Sequence, residues 1–326
     1  MREVVHEYGV ELDWMENMAT QLDGFVENNR IIVPEHILTG FRYVCPINKQ
    51  LTVFIIDVTY HEDILYALRN TNDDFVGIYF NLSEGDAIYI MDKVSRPVGR
   101  WAYNLAMIDA SLPGDYMIKA GSITYMISIF IKKTALKEYM DKVPNYAEFA
   151  DTIFNKELNT IIRFDRMSNH AWWLMNELKK TPFGSPIYDV MLKGTVYGLI
   201  SDYMDQIINQ EIVLEKVVQE DINNIIISQS YLIEHIKENF PGLPTLASNA
   251  LMSESKYKRM FKKITGVSAN AFFLNNKVSF SKEMLETGKY TIAEVADEFN
   301  FFDASHLIEQ FKSIYHITPK EYLNFL

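Results

Sequence analysis

A basic segment in the last third of the chain reads Ser255-Lys256-Tyr257-Lys258-Arg259-Met260-Phe261-Lys262-Lys263. Its apolar residues, continued by Ile264, recur at i, i+3, i+4 and i+7, which is the spacing of one helix face. The five basic side chains fall on the other faces. The segment therefore predicts an amphipathic helix that packs through one face and can meet phosphate with the other.

The residues before this segment complete a helix-turn-helix pattern over 243–266. A short helix is predicted over residues 245–251, followed by a turn through Met252 and Ser253. Ser253 or Ser255 can cap the second helix, and Thr265-Gly266 ends it. Short amphipathic helix pairs are common in α-rich proteins, so one copy alone is a weak indication.

A second helix-turn-helix pattern over 290–315 makes the interpretation stronger. Its turn is Phe299-Asn300-Phe301, and Asp303 is placed to cap its second helix. Asn300 suits the turn because Asn tolerates left-handed backbone geometry better than most residues. Residues 268–286 predict one linker helix of about 27 Å at 1.5 Å per residue. That length is near the roughly 34 Å between successive major grooves.

The charge of the chain is divided unevenly along its length. The net charge is -12 and the pI is near 5.1, which argues against general affinity for nucleic acid. All of the acidic excess lies in residues 1–221. Residues 243–282 carry seven basic side chains and one acidic one, whereas residues 283–326 carry three basic and eight acidic. The two helix-turn-helix patterns are therefore electrostatically unlike.

Several short motifs occur in the order and spacing of a known family. They are Leu246-Ala247, Met252-Ser253, Arg259-Met260-Phe261-Lys262-Lys263-Ile264-Thr265-Gly266, Ile292-Ala293-Glu294-Val295-Ala296, Phe301, Phe311-Lys312 and Ile317-Thr318-Pro319-Lys320-Glu321-Tyr322. On these motifs, about residues 222–326 resemble the AraC/XylS family of bacterial transcription regulators. The resemblance implies a C-terminal domain of two helix-turn-helix modules that reads successive major grooves of operator DNA.

The resemblance also assigns roles to particular residues. It places base contacts on Ser255, Lys258, Arg259, Ala304, Ser305 and Glu309. The charge of Lys256, Lys262, Lys263 and Lys312 makes them candidate phosphate contacts, with solvated surface as the alternative for the first three. Arg259 is the expected reader of guanine, worth about 1 to 3 kcal/mol of discrimination, and a surface or phosphate-only arginine is the alternative. Glu309 stands where the family often has a basic residue, so the second module is expected to contribute less affinity. Asn300 for the usual Gly and Lys277 for the usual Arg are milder departures.

The upstream part of the chain has a different composition. Short β-branched and aromatic runs separated by turn signals predict strands over about residues 30–131, typical of a sandwich or small barrel. Helical spacing follows over about 134–209. We therefore predict an α+β chain with a β-rich domain over residues 1–220 and an all-α DNA-binding domain over 221–326. The family resemblance implies a cupin-like barrel that binds an effector and dimerises.

The pattern also suggests an effector pocket and a dimer contact. Inward strand positions provide the candidate pocket residues Phe54, Ile56, Tyr79, Tyr89, Trp101 and Tyr103, although plain core is the commoner role of such residues. Residues 187–208 form a long helix whose broad apolar face can pack on a second subunit or inside its own domain. The expected partners are an operator duplex, an unknown small-molecule effector, a second copy of the chain and, for an activator, RNA polymerase.

Other functional classes have little support in the sequence. Seven scattered histidines lack the close pairs of a metal centre, and no phosphate-binding glycine loop or nucleophile elbow is present, so we predict no enzyme, cofactor or metal. Cys45 is the only cysteine, which fits a reducing, cytoplasmic location without membrane attachment. The acidic second module leaves one alternative open, a protein-interaction regulator with weak DNA affinity.

Overall fold

The computed structural model describes residues 1–82, 87–91, 94–98, 104–208, 213–315 and 317–324. The chain divides into two compact units, Met1–Val217 and Val218–Leu326. The N-terminal unit is rich in β-strands and the C-terminal unit is helical, which confirms the predicted α+β class. Within the described residues, no helix combines the length and the apolar character needed to cross a membrane.

The strands of the N-terminal unit form two sheets. In chain order they are β1 (Arg2–His6), β2 (Phe25–Glu27), β3 (Arg30–Ile32), β4 (Leu38–Asn48), β5 (Leu51–Tyr60), β6 (Ile64–Leu68), β7 (Phe75–Asn81), β8 (Ala87–Met91), β9 (Val94–Val98), β10 (Leu105–Asp109), β11 (Gly114–Ile118), β12 (Ile123–Lys132) and β13 (Ile162–Asp165). The small sheet has the order β1-β6-β11-β8-β9, and the large sheet has the order β13-β10-β7-β12-β5-β4-β3-β2. Two separate sheets make this unit a sandwich.

Strand β5 shows why this unit has three layers. Phe54 and Ile56 face a buried cluster shared with the small sheet, which includes Ile64 and Tyr66. The alternate residues Val53 and Ile55 belong to a second cluster that the helices cover. Because both faces are buried, the strand is apolar almost without interruption, as is usual for strands in the middle of a layered fold.

Six helices accompany the sheets in the described part of the N-terminal unit. They are α1 (Trp14–Gln21), α2 (Lys133–Met140), α3 (Pro144–Ala147), α4 (Ala150–Ile153), α5 (Asn169–Lys180) and α6 (Tyr188–Ile208). Helices α5 and α6 pack on each other and contribute Met175, Leu199 and Tyr203 to the cluster over the large sheet. The predicted apolar face of α6 is thus largely buried inside its own unit. Val190 and Tyr197 remain exposed.

The described residues of the C-terminal unit form helices and the turns between them. The helices are α7 (Gln219–Glu234), α8 (Leu243–Asn249), α9 (Glu254–Thr265), α10 (Ala269–Glu286), α11 (Ile292–Glu298), α12 (Ala304–Tyr315) and α13 (Pro319–Leu323). Helix α10 is the predicted linker, and α9, α11, α12 and α13 all pack against it. The acidic pair Glu220 and Asp221 lies in the first turn of α7, where it suits the helix dipole, and the chain turns at His235.

Candidate nucleic-acid interface

Helix α9 has the two faces that its sequence predicts. Tyr257, Met260, Phe261 and Ile264 are each 1% exposed or less. The opposite face presents Ser255, Lys258 and Arg259 to solvent. The side chain of Ser253 accepts the backbone N–H of Lys256 and caps the helix, and Gly266, at φ 76°, ends it. The three predicted base-contacting residues of the first module therefore lie on one exposed helix face.

Helix α7 holds α9 in place through two polar contacts. The hydroxyl groups of Ser228 and Tyr257 are hydrogen-bonded at 2.6 Å, and both residues are buried. The ammonium group of Lys256 lies 2.8 Å from a carboxylate oxygen of Asp221. Lys256 was predicted to contact phosphate, but its side chain forms an ion pair inside the unit. Lys262 and Lys263, the other predicted phosphate contacts on this helix, are half-buried.

The second module is built in the same way. Thr291 and Glu294 form a capping box at the start of α11. Asp303 accepts the backbone N–H of His306 at 2.7 Å, so it caps α12 as predicted. Ser305, Glu309 and the predicted phosphate contact Lys312 are exposed, while Ala304 is half-buried. The exposed face of α12 thus carries a carboxylate where α9 carries Arg259.

Both modules contain a left-handed residue in the turn between their helices. Leu251 has φ 55° and Asn300 has φ 51°. Asn adopts this conformation at little cost, whereas Leu does so rarely. Leu251 is also 82% exposed, so packing of its side chain does not explain its presence. The tight turn geometry itself is therefore the feature that the two modules share.

Lys277 of the linker helix connects the second turn to the rest of the unit. Its ammonium group donates to the carbonyl oxygen of Glu238 at 2.8 Å and to that of Asn300 at 3.4 Å. It also lies 5.1 Å and 5.5 Å from the ring centroids of Phe273 and Phe301. Burial lowers the pKa of this lysine. A residue on the linker helix thus fixes the turn of the second module.

The family comparison agrees with this geometry. Residues 246–324 match a family model described as a helix-turn-helix domain. The matched stretch begins in α8 and ends just after α13, so it covers both modules and the linker. The C-terminal unit contains a helix-turn-helix domain of the AraC type.

Two curated proteins and one solved structure are each similar to about 30% of this chain. The regulatory protein PocR of Salmonella typhimurium is 26% identical over 92 residues, which are 28% of this chain and 30% of PocR. The TetD protein of transposon Tn10 in Escherichia coli is 29% identical over 90 residues, 28% of this chain and 65% of TetD. The DNA-binding domain of AdpA in complex with a target DNA shows 26% identity, covering 31% of this chain and 91% of that one, with a TM-score of 0.30. The chain thus spans about a third to two thirds of the length of these two curated relatives.

The candidate effector residues fall into three groups. Ile56 and Tyr79 line a cavity of about 130 Å³ between the two sheets. Phe54 is fully buried and packs on Trp14 within the cluster between the sheets. The side chain of Tyr89 lies outside the described residues, as do Trp101 and Tyr103 altogether.

Sequence reasoning missed two polar residues of this cavity. Arg42 and His6 both line it and are both 2% exposed. Each lies on a strand, and the sequence alone does not tell which face of that strand turns inward. Among the described residues, no cluster of His, Cys, Asp or Glu has the arrangement needed to hold a metal ion.

Proposed function

We propose that this chain is a sequence-specific DNA-binding transcription regulator whose first module, residues 243–266, supplies most of the affinity. The observation that carries the proposal is the exposed face of α9, where Ser255, Lys258 and Arg259 stand opposite a fully buried face within an AraC-type domain. Guanidinium and ammonium groups on such a face suit the hydrogen-bond acceptors of guanine and the phosphate oxygens beside it.

The charge distribution supports the unequal roles of the two modules. Residues 243–282 carry a net charge of +6, whereas residues 283–326 carry -5. DNA is a dense polyanion, so the electrostatic part of binding favours the first module. Glu309 on the exposed face of α12 can accept from cytosine N4, which would give it a part in specificity rather than in affinity.

Salt dependence of DNA binding tests the proposal. The purified chain is titrated against DNA fragments from upstream of its own gene over a salt series, beside the double variant Lys258→Ala, Arg259→Ala. The original chain is expected to lose affinity steeply with salt, with a slope of log K against log salt of about -0.9 per neutralised phosphate, and the double variant is expected to bind more weakly at every salt concentration. The double variant Lys289→Ala, Lys320→Ala removes the same charge from exposed positions outside α9 and is the matched control.

A protein-interaction regulator is the second candidate function, and the net charge of -5 on residues 283–326 favours it. In that case residues 283–326 would bind a partner protein, and the chain would bind DNA only weakly. The salt series separates the two candidates. Binding that is absent even at low salt, or that the α9 variant leaves unchanged, would favour the interaction role and contradict DNA reading through α9.

We also propose that residues 1–220 bind a small-molecule effector and form the contact of a homodimer, while residues 221–326 bind DNA. The cavity between the sheets supports the effector role. Exposed Trp172 and Trp173 on α5, with Val190 and Tyr197 on α6, support a subunit contact, because large apolar side chains rarely remain in water without a partner. Light scattering at micromolar concentration tests the dimer, and a monomer there would contradict it. RNA polymerase is the further partner if the chain is an activator, and such a regulator would work in the cytoplasm.

A further inference from the structure

The cavity between the two sheets is lined mainly by aromatic and aliphatic side chains. Tyr66 of the small sheet and Ile56, Tyr79 and Met126 of the large sheet are among its lining residues. Its volume of about 130 Å³ is close to that of an engineered protein cavity of about 150 Å³ that binds benzene. A single small ring or a short aliphatic chain therefore matches its size.

One charged group stands in this apolar lining. Arg42 of β4 is 2% exposed. One terminal nitrogen donates to the hydroxyl oxygens of Tyr66 at 2.8 Å and Tyr60 at 3.2 Å. Within the described part of the chain, the other terminal nitrogen meets only the sulfur of Met18, at 4.0 Å. The buried Nε–H group has no hydrogen-bond partner among the same residues.

The described residues provide no counter-charge for Arg42. No Asp or Glu among them forms an ion pair with it, and the titratable groups that act on its guanidinium are the tyrosines Tyr66, Tyr60 and Tyr8. Burial raises the pKa of Tyr66 well above its usual value, so its hydroxyl group stays protonated and neutral. Burial lowers the pKa of His6 to about 4, so that imidazole is neutral as well. The described lining residues therefore carry one net positive charge at neutral pH.

A guanidinium group that is buried and unpaired is costly, and a protein normally neutralises it with an anion. We propose that the cavity binds a small organic monocarboxylate, with the carboxylate on Arg42 and the apolar body against Ile56, Tyr79 and Met126. A single guanidinium balances a single negative charge, so a monoanion fits better than a phosphate dianion. The apolar lining selects an organic body rather than an inorganic ion. This assignment rests on the proposed function, because it names the chemical class of the effector.

Direct binding to the full chain, without DNA, tests the assignment. Calorimetry in a chloride buffer compares phenylacetate and the straight-chain carboxylates from butyrate to octanoate with phenylacetamide and hexanamide, which have the same shapes without the charge. At least one carboxylate is expected to bind about tenfold or more tightly than its amide, because hydrogen bonds to charged groups are the stronger ones. Arginine stays protonated, so the affinity is expected to be constant between pH 6 and 8.

Variants of Arg42 identify the site. Arg42→Met is expected to abolish carboxylate binding and to leave the free chain at least as stable, because it removes a buried unpaired charge. Arg42→Lys retains the charge and is expected to retain part of the affinity. If Arg42→Met does not fold, the comparison of carboxylate with amide on the unaltered chain still decides the matter.

Three outcomes would overturn the assignment. They are no binding of any carboxylate at millimolar concentration, equal binding of acid and amide, and competition by inorganic phosphate at equal concentration. None of them bears on DNA binding, which is measured without the ligand. Loss of DNA binding with carboxylate binding intact would contradict the proposed function and leave the ligand class standing.

Discussion

Lys256 on α9 and Asp221 on α7 form an ion pair in which the ammonium nitrogen lies 2.8 Å from the carboxylate oxygen. The carboxylate side of the pair is 12% exposed, whereas the lysine side chain is 41% exposed. Lys258, two residues further along α9, is exposed. We therefore expect Lys256 to stabilise the fold and Lys258 to contribute to DNA binding.

Charge removal at these two lysines should separate folding from DNA binding. We expect Lys256→Gln to lower the free energy of unfolding by about 1 kcal/mol, because Asp221 loses its partner. Lys258→Gln should leave stability unchanged and weaken binding to a specific duplex by about 1 to 3 kcal/mol, because Lys258 is a predicted base contact. Urea unfolding and fluorescence anisotropy measure the two quantities. Equal losses of DNA affinity for the two variants would show that Lys256 also contacts the duplex.

Arg259 and Glu309 provide a comparison between the two modules. Arg259→Ala should cost about 1 to 3 kcal/mol of binding to a specific duplex and relax its discrimination at one base pair. Glu309→Ala removes a carboxylate from a face near phosphates, so its effect on affinity should be smaller or favourable. Anisotropy with the specific duplex and single-base variants provides the measurement. If Glu309→Ala weakens specific binding as much as Arg259→Ala does, the two modules contribute equally and the proposed order is wrong.

The left-handed turn residues predict a stabilising substitution. The left-handed conformation of Leu251, at φ 55°, destabilises the folded chain by about 1 to 2 kcal/mol through a steric clash that glycine, which has no Cβ atom, avoids. Glycine loses about 0.5 to 1 kcal/mol more entropy on folding, so Leu251→Gly should gain a net amount of about 0.5 to 1 kcal/mol. Asn300→Gly is the matched control and should gain less, because Asn tolerates the conformation. A destabilised Leu251→Gly in urea unfolding would mean that this leucine makes a stabilising contact.

His6 predicts a loss of stability in acid. Burial lowers its pKa from 6.5 to about 4, with the guanidinium groups of Arg42 and Arg69 acting in the same direction. The unfolded chain therefore binds a proton near pH 6.5 that the folded chain does not bind until about pH 4. The contribution of neutral His6 to the free energy of unfolding is fully present above pH 6.5 and is lost as the pH falls to 4. At about 1.4 kcal/mol per pH unit, this loss amounts to about 3 kcal/mol.

The variant His6→Asn isolates this effect, because all carboxylates are common to both proteins. The difference in unfolding free energy between the original chain and the variant should shift by about 3 kcal/mol in favour of the variant between pH 7 and pH 4. A constant difference over this range would show that His6 titrates normally in the folded protein.

The sequence predicted the C-terminal unit well because its signals are local. The apolar spacing of α9, the cap Ser253 and the cap Asp303 each act within one helix or one turn. The structure also contains the linker helix within one residue of the predicted bounds. The exposed positions of Ser255, Lys258 and Arg259 follow directly from that same helical period.

Only the fold class of the N-terminal unit could be predicted from the sequence, because its strands pair with partners that are distant along the chain. Strand β1 lies parallel to β6, about sixty residues away, and no short pattern at Arg2–His6 indicates that partner. Strand β13 was missed within a segment predicted to be helical, since Ile162–Asp165 is short and gains its role by pairing with β10. Arg42 was missed for the same reason: only the packing of two sheets determines that its guanidinium is buried.

The central claim is that the exposed face of α9 reads DNA sequence, and selection from a pool of genomic fragments tests it most directly. The purified chain, its double variant Lys258→Ala, Arg259→Ala and the control Lys289→Ala, Lys320→Ala are each incubated with the pool, and the bound fragments are sequenced. The account predicts that the original chain and the control enrich the same few fragments, which share a motif, and that the α9 variant enriches none. Enrichment of the same motif by the α9 variant, or no enrichment by any of the three proteins, would contradict it.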